Sequence, residues 1–204
     1  MNFLNTPITI NQLELPNRLV LPPMATAISA PDGTVTPSLC DYYSEKSSGG
    51  YIGLIITEHS YILPNGRASE RQLSIANDSD IDGLKILVDA VHKNNTKIMA
   101  QISHAGAVAK PASFSEERWS ASPINIQEKN VEKERLPQEM SHLDIQKIIE
   151  HFTSAALRAK KAGYDGVEIH SAHGYLLNQF YSPLSNIGQM NILEIHSMDV
   201  FEFI

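Results

Sequence analysis

The chain has 204 residues, 42% of them hydrophobic, which is enough for one well-packed core. Its net charge of -7 argues against nucleic acid or an anionic membrane surface as the main partner. The single cysteine, Cys40, fits a reducing compartment. The sequence shows no secretory signal, and no apolar run approaches the roughly 18 residues that a membrane span needs. The sequence therefore predicts a cytoplasmic protein.

Strand and helix patterns alternate along the first half of the chain. Leu13 to Leu15, with the following Pro16-Asn17, indicate a hairpin arm and a turn. A first strand is predicted over residues 18–24, where Pro22-Pro23 end its ladder because proline has no N–H to donate. Further elements are predicted in this order: a helix over 39–48 with its cap at 36–38, a buried strand over 52–57, a loop over 62–76, a helix capped by Ser79-Asp80, and a strand over 97–103.

A long polar connection over residues 107–140 precedes the last helix and strand, and loops of this length are usually functional. Ser141-x-x-Asp144 is a capping-box pattern, and the apolar residues after it predict an amphipathic helix that ends near Gly163. A fourth strand is predicted over residues 167–170. This alternation implies a parallel sheet with right-handed crossovers, and both a doubly wound sheet and a (β/α)8 barrel fit it.

Polar side chains that can carry chemistry lie at or just after the carboxyl ends of the predicted strands. They are Gln101, His104, His170, His173 and Tyr175. His170 and His173 offer N–H donors to one oxygen atom, and Tyr175 offers a further proton donor. Barrel enzymes keep their chemistry at this end of the sheet, whereas the Gly-x-Gly-x-x-Gly of a dinucleotide-binding fold does not follow the first strand.

Motifs spread along the chain identify a family that the sequence resembles. They are Leu15-x-Asn17-Arg18, Pro23-Met24, Gly-Leu-Ile-Ile-Thr-Glu at 53–58, Gln101-x-x-His104-Ala105-Gly106, and the stretch 166–186 that contains His-Ser-Ala-His-Gly-Tyr. With them, residues 1–186 resemble the Old Yellow Enzyme group of FMN-dependent NAD(P)H oxidoreductases, which includes ene-reductases. The resemblance implies an FMN-binding (β/α)8 TIM barrel, of which the chain holds about the first four βα units.

The resemblance assigns a cofactor site to the mouth of this barrel. Pro23, Met24 and Ala25 would lie along the isoalloxazine ring of FMN, and Gln101 would hydrogen-bond to its pyrimidine edge. His59 would lie close to the flavin edge, where the family commonly has a small residue. Ala25 and the nearby Ala27 stand where relatives often have larger side chains that touch flavin or substrate, so the family does not imply the substrate range.

The resemblance also assigns catalytic roles. His170 and His173 would bind the carbonyl oxygen of a small-molecule substrate of the enone or enoate type. Hydride from N5 of FMN, reduced in turn by NADH or NADPH, would add to one alkene carbon, and Tyr175 would give a proton to the other. Hydride addition builds negative charge on the carbonyl oxygen, where two fixed donors are worth several kcal/mol.

A different chemistry of the same histidines stays open. A metal-dependent barrel hydrolase would use His170 and His173 as ligands, with Glu58 or His59 contributing. Barrel metal sites usually add ligands from other strands, so this interpretation needs further ligands beside the two histidines.

Residues 187–204 form a tail that does not match the family. Its codons, read in a shifted frame, permit Arg-Thr-Asp-Glu-Tyr, which is close to the family's own continuation, so the sequence predicts a frameshift after Asn186. Half of a barrel would leave two unpaired strand edges. We therefore expect a truncated product with doubtful activity and weak flavin binding, which would seek a second copy of itself as a partner or be inactive.

Overall fold

Parallel strands form the centre of the protein, and helices pack against them. The computed structural model describes residues 3–110, 117–124 and 136–187, so the predicted tail lies outside the described residues from position 188 onward. The strands are β1 (Ile8–Ile10), β2 (Leu13–Leu15), β3 (Val20–Leu21), β4 (Leu54–Ile56), β5 (Ser60–Tyr61), β6 (Lys97–Ser103), β7 (Trp119–Ser120), β8 (Gln138–Glu139) and β9 (Gly166–Ile169). The helices are α1 (Pro37–Ser47), α2 (Ile81–His92), α3 (His142–Ala162) and α4 (Leu176–Tyr181). Within the described part, none of these helices has the length and apolar character to cross a membrane.

The main sheet has its strands in chain order, β3, β4, β6 and β9, and neighbouring strands are parallel. β5 pairs with the end of β6 through Ser60 and Ile102. Because Ile102 also pairs with Ile169 of β9, β5 lies on the opposite side of β6, in line with β4. Strands that are neighbours in chain order are typical of a (β/α)8 barrel, whereas a doubly wound sheet reverses its order at a switch point. The sheet order therefore favours the barrel.

Two helices begin at residues that the sequence predicts as caps. At the start of α1, the Thr36 hydroxyl accepts a hydrogen bond from the Leu39 N–H at 3.2 Å. At the start of α3, Ser141 and Asp144 form the predicted capping box, with the Ser141 N–H 3.1 Å from a carboxylate oxygen of Asp144. α3 ends at Gly163, whose φ of 92° is a left-handed conformation that glycine adopts without a steric penalty.

The start of α2 differs from the prediction. The Asp80 carboxylate accepts hydrogen bonds from the Asn77 N–H at 3.0 Å and from the Ser74 hydroxyl at 2.7 Å. A 3-10 turn over Asp78–Asp80 therefore comes between Asn77 and the first residue of α2. Asp80 is the N-cap residue of α2, as predicted, but its side chain makes no cap hydrogen bond to α2 because it bonds backward along the chain.

One predicted strand is shorter than expected, and the structure has short strands that the sequence does not predict. β3 covers two residues of the predicted 18–24, since Pro22 and Pro23 have no N–H for the ladder. β5 precedes the predicted loop, and Tyr61 forms a parallel bridge with Ser74 inside it. β7 and β8 pair within the long connection, whose residues 111–116 and 125–135 lie outside the described part. Strands of two residues are too short to show the alternation of apolar and polar residues that indicates a strand, so the sequence does not predict them.

The hydrophobic core lies between the sheet and the helices α1, α2 and α3. Buried side chains come from both layers: Ile55, Ile98 and Ile102 from strands, and Leu39, Leu84, Leu87, Val88, Ile148 and Phe152 from helices. Burying one such side chain stabilises the fold by about 1.5–3 kcal/mol. This packing holds the strands rigidly, so the residues at their carboxyl ends have fixed positions.

Candidate active site at the carboxyl ends of the strands

Four aromatic side chains meet where the chain leaves β4 and β9. His170 follows β9, and its ring centroid lies 5.1 Å from that of His173 and 4.7 Å from that of Tyr175. His59 follows β4, with its ring centroid 5.9 Å from that of His170 and 5.6 Å from that of Tyr175. The structure therefore brings together the predicted catalytic residues and one of the predicted cofactor contacts.

The turn that carries His173 and Tyr175 is held by the first residues of α4. His173 and Gly174 have φ values of 58° and 69°, and such a conformation is unfavourable for a histidine. The Asn178 side-chain oxygen accepts from the Gly174 N–H at 2.9 Å, and the Gln179 amide nitrogen donates to the Gly174 carbonyl at 2.6 Å. The backbone N–H and the carbonyl of Gly174 are thus both held by side chains of α4.

Gln179 connects this turn to the loop after β6. Its side chain is fully buried, and its amide oxygen accepts from the Ala107 N–H at 3.0 Å and from the Ser120 hydroxyl at 3.2 Å. Its amide nitrogen also donates to the Ala105 carbonyl at 3.2 Å. Sequence reasoning missed Gln179 and Asn178; the signal was present as two polar residues inside an otherwise apolar run, Leu176 to Phe180.

The polar side-chain atoms of His170, His173 and Tyr175 have no hydrogen-bond partner among the described residues. His170 is only 6% exposed, whereas His173 is exposed and Tyr175 is half-buried. Three adjacent side chains that can donate hydrogen bonds and are not engaged by the described residues form a candidate ligand-binding site.

Burial sets the protonation states of this cluster. Burial, and after it the neighbouring His173, lowers the pKa of His170, so its ring is neutral at physiological pH and has one N–H to donate. Burial raises the pKa of Tyr175, which keeps its phenol protonated. His170 and Tyr175 therefore present neutral donors, which suit an oxygen atom that gains negative charge.

The loop after β3 lies beside residue 58 at the end of β4. The Thr26 N–H is 3.3 Å from a Glu58 carboxylate oxygen, and the Thr26 hydroxyl donates to the same oxygen. Glu58 is 2% exposed, and burial raises its pKa although the bonds from Thr26 oppose this. Ala27 has a φ of 56°, which is strained for alanine. These contacts hold the segment that contains Pro23, Met24 and Ala25, of which Met24 is 58% exposed.

Gln101 lies inside β6, opposite Glu168 of β9 in the register. Its amide nitrogen donates to the Glu168 carboxylate at 2.6 Å, and Gln101 is 7% exposed. Its amide oxygen makes no hydrogen bond to another described residue. Gln101 thus keeps its amide oxygen and one of its two amide N–H groups for a ligand, while the other N–H is occupied by Glu168.

His104 belongs to the framework of the site. Its Nδ1 accepts from the Gly106 N–H at 3.1 Å, its Nε2 lies 3.2 Å from the Asn65 side-chain oxygen, and its ring stacks on Trp119. Burial lowers the pKa of His104 to about 3, so the ring is neutral. Both ring nitrogens are occupied, and His104 therefore has no group left for a ligand.

The described residues provide no further ligands for a metal site at His170 and His173. Within the described residues, no group of three or more His, Cys, Asp or Glu side chains is placed to hold a metal ion. Glu58 instead accepts hydrogen bonds from Thr26. The described cluster thus lacks the third protein ligand that catalytic zinc sites have.

Comparison with known proteins gives one consistent group of relatives. A family model described as the NADH:flavin oxidoreductase / NADH oxidase family matches residues 3–188. An NADPH dehydrogenase of Clostridium acetobutylicum is 41% identical over 178 residues, which are 87% of this chain and 50% of that protein. The crystal structure of Old Yellow Enzyme from Pichia sp. AKU4542 is 30% identical, with a TM-score of 0.84 over 92% of this chain and 50% of that one. Morphinone reductase in complex with tetrahydroNAD is 28% identical, with a TM-score of 0.81 over 91% of this chain and 54% of that chain.

The structural likeness settles the fold class. The agreement with these barrel structures, together with the chain-order sheet, confirms the predicted (β/α)8 barrel type for the described strands. The chain spans about half the length of the relatives that it matches.

Proposed function

Because the chain belongs to the NADH:flavin oxidoreductase / NADH oxidase family, we propose that it acts in the FMN-linked reduction of α,β-unsaturated carbonyl compounds by NADH or NADPH. The observation that carries this proposal is the cluster of His170, His173 and Tyr175, whose polar atoms have no hydrogen-bond partner among the described residues. Two imidazoles and one phenol at the end of a barrel strand are the groups that a conjugate reduction needs.

His170 and His173 bind the carbonyl oxygen of the substrate. Their ring centroids are 5.1 Å apart, so one N–H of each ring can reach the same oxygen atom. Negative charge that develops on this oxygen is stabilised by donors that are already in place, which is worth several kcal/mol in a site from which water is excluded. The low pKa of His170 keeps its ring neutral, so the site attracts the polarised oxygen without binding anions in general.

Tyr175 supplies the proton that completes the reduction. Its ring centroid is 4.7 Å from that of His170, which places the phenol next to a carbonyl compound held by the two histidines. Burial raises the pKa of Tyr175, so the phenol carries its proton at neutral pH. FMN, when bound and reduced, would supply the hydride to one alkene carbon, and Tyr175 gives the proton to the other.

The residues proposed to hold FMN fit a flat ring system at this position. Met24 and Ala25 are exposed and Pro23 is half-buried, and together they present an apolar surface in a segment that Glu58 fixes through Thr26. The Gln101 amide oxygen is left to accept from an N–H of the pyrimidine ring. His59, which we propose to lie at the flavin edge, adjoins the substrate cluster, since its ring contacts both His170 and Tyr175.

Reduction of cyclohexenone, followed as cyclohexanone formed after incubation of the chain with FMN, tests this function. We expect product with NADPH or NADH as the reductant. His170→Phe keeps an aromatic ring but removes one donor to the oxygen, and it should slow the reaction by about 10²–10³-fold. His92→Phe is the matched control, because His92 lies at the other end of the sheet, and it should leave the rate unchanged. A flavin-loaded chain that forms no cyclohexanone would contradict the proposal.

A further inference from the structure

His59 adds a third imidazole to the candidate site. It follows β4, is half-buried, and its ring lies against those of His170 and Tyr175 at 5.9 and 5.6 Å between centroids. Its Nε2 makes no hydrogen bond to a described residue. This nitrogen is therefore a further polar atom of the cluster that has no partner among the residues the structure describes.

Gln72 determines which nitrogen of His59 carries the proton. The Gln72 amide oxygen accepts from the Ala68 N–H at 2.6 Å, which fixes the orientation of the amide group. Its amide nitrogen then lies 2.7 Å from Nδ1 of His59 and 3.1 Å from the His59 carbonyl oxygen. An amide nitrogen can only donate, so Nδ1 of His59 is an acceptor and its proton is on Nε2.

The His59 ring is neutral as well as oriented. Burial, followed by the neighbouring His170 and His173, lowers the pKa of His59 to about 4. Gln72, which holds the ring, is itself only 3% exposed. His59 thus offers one N–H at a fixed position and carries no charge at physiological pH.

We infer that His59 is a third hydrogen-bond donor of the substrate pocket, selecting activating groups that carry two oxygen acceptors on one atom. The inference rests on the proposed function, in which His170 and His173 hold one oxygen. Rings 5.9 Å apart can each place an N–H against one of two oxygens of a single planar group. Nitroalkenes have such a group, whereas an enone has one oxygen and leaves the His59 donor unused.

The binding of two ligands of similar size and shape distinguishes a group with one acceptor oxygen from a group with two, and it requires no hydride transfer. Benzaldehyde has one acceptor oxygen and nitrobenzene has two, and both are planar and uncharged. We expect the flavin-loaded chain to bind nitrobenzene more tightly. His59→Phe, which keeps an aromatic ring but removes the donor, should weaken nitrobenzene binding roughly 3- to 10-fold and change benzaldehyde binding by less than about twofold. His92→Phe is the control for a histidine outside the site.

Nitrogen-15 NMR of the His59 ring gives a second readout that needs neither flavin nor substrate. We expect an unprotonated Nδ1 and a protonated Nε2 at neutral pH, assigned by the loss of both signals in His59→Phe. A proton on Nδ1, or a charged ring, would overturn the inference. Equal weakening of both ligands by His59→Phe would overturn it too, and if cyclohexenone were still reduced the proposed function would stand. A chain that binds neither ligand would count against both.

Discussion

The two ends of the parallel sheet differ in how their polar groups are used. At the amino ends of β6 and β9, the Asp165 carboxylate is paired with Lys97 and His92, each at 2.8 Å, and with the Ile98 N–H at 2.9 Å. At the carboxyl ends, the polar atoms of His170 and its aromatic neighbours have no partner among the described residues. In barrel enzymes the first end serves stability and the second serves chemistry.

Backbone strain follows the same division. Ala27 and His173, two non-glycine residues with positive φ, both lie at the carboxyl ends of the strands, next to the candidate site. Such conformations cost about 1–3 kcal/mol each and persist where the surrounding contacts impose them. At the amino ends, Asn95 also has a positive φ, but asparagine tolerates it well. Ala27 and His173 therefore carry backbone strain next to the residues that we propose to bind flavin and substrate.

The largest expected effect is a loss of activity caused by a substitution at the carboxyl ends of the strands. Tyr175→Phe removes only the phenol oxygen, so the reduction of cyclohexenone should slow by about 10²–10⁴-fold because the proton donor is lost. The unfolding free energy should change little, since the hydroxyl has no hydrogen-bond partner among the described residues. Turnover with cyclohexenone and urea unfolding of the same samples measure the two quantities.

Tyr51→Phe is the matched control for this variant. Tyr51 is 74% exposed and precedes β4, at the other end of the sheet. The control should alter neither the rate nor the stability. If Tyr175→Phe retained the full rate, Tyr175 would not be the proton donor.

A smaller effect is expected for a substitution at the amino ends of the strands, which should lower the stability of the protein without changing its activity. Asp165→Asn puts an N–H₂ group among three donors, so we expect the unfolding free energy to fall by about 1–3 kcal/mol. The activity of the folded protein should be unchanged. Asp78→Asn is the comparison at an exposed carboxylate, 70% exposed beside Arg158, and should change the stability much less.

The pH dependence of stability should identify Asp165 as the source of this effect. Burial alone would raise the pKa of Asp165, but the hydrogen bonds from Lys97, His92 and the Ile98 N–H lower it below its ordinary value of 3.8. A lowered pKa in the folded state stabilises the protein above pH 3.8, and this contribution is lost as the pH falls through the folded pKa. The stability difference between the unmodified chain and Asp165→Asn should therefore shrink in acid. A constant difference would contradict this assignment.

The sequence predicted the members of the central cluster but not the contacts that hold them. His59, His170, His173 and Tyr175 were expected at the mouth of the barrel, and the structure places them together. Their roles toward flavin and substrate stay predictions. Strand ends and short motifs are local signals, so a sequence pattern can locate such residues.

The supporting residues depend on contacts between distant parts of the chain. Gln72 lies 13 residues from His59, and Gln179 reaches Ala107 over 72 residues, so no local period indicates either contact. His104 shows the opposite error. Its place after β6 suggested a chemical role, but both ring nitrogens are occupied within the framework. Burial and pairing, which a single sequence does not reveal, decide between the two roles.

FMN retention after desalting, measured by visible absorbance, tests the functional assignment of the carboxyl ends most directly. Half of a barrel is expected to bind flavin weakly, whereas the proposed function requires bound flavin in the unmodified chain and in Asp165→Asn. It also requires loss of flavin in Ala25→Trp, where a large ring replaces a small exposed side chain next to Met24. Flavin that stays bound in Ala25→Trp would place the cofactor elsewhere. An unmodified chain that retains no flavin would contradict the proposed function and favour an inactive product.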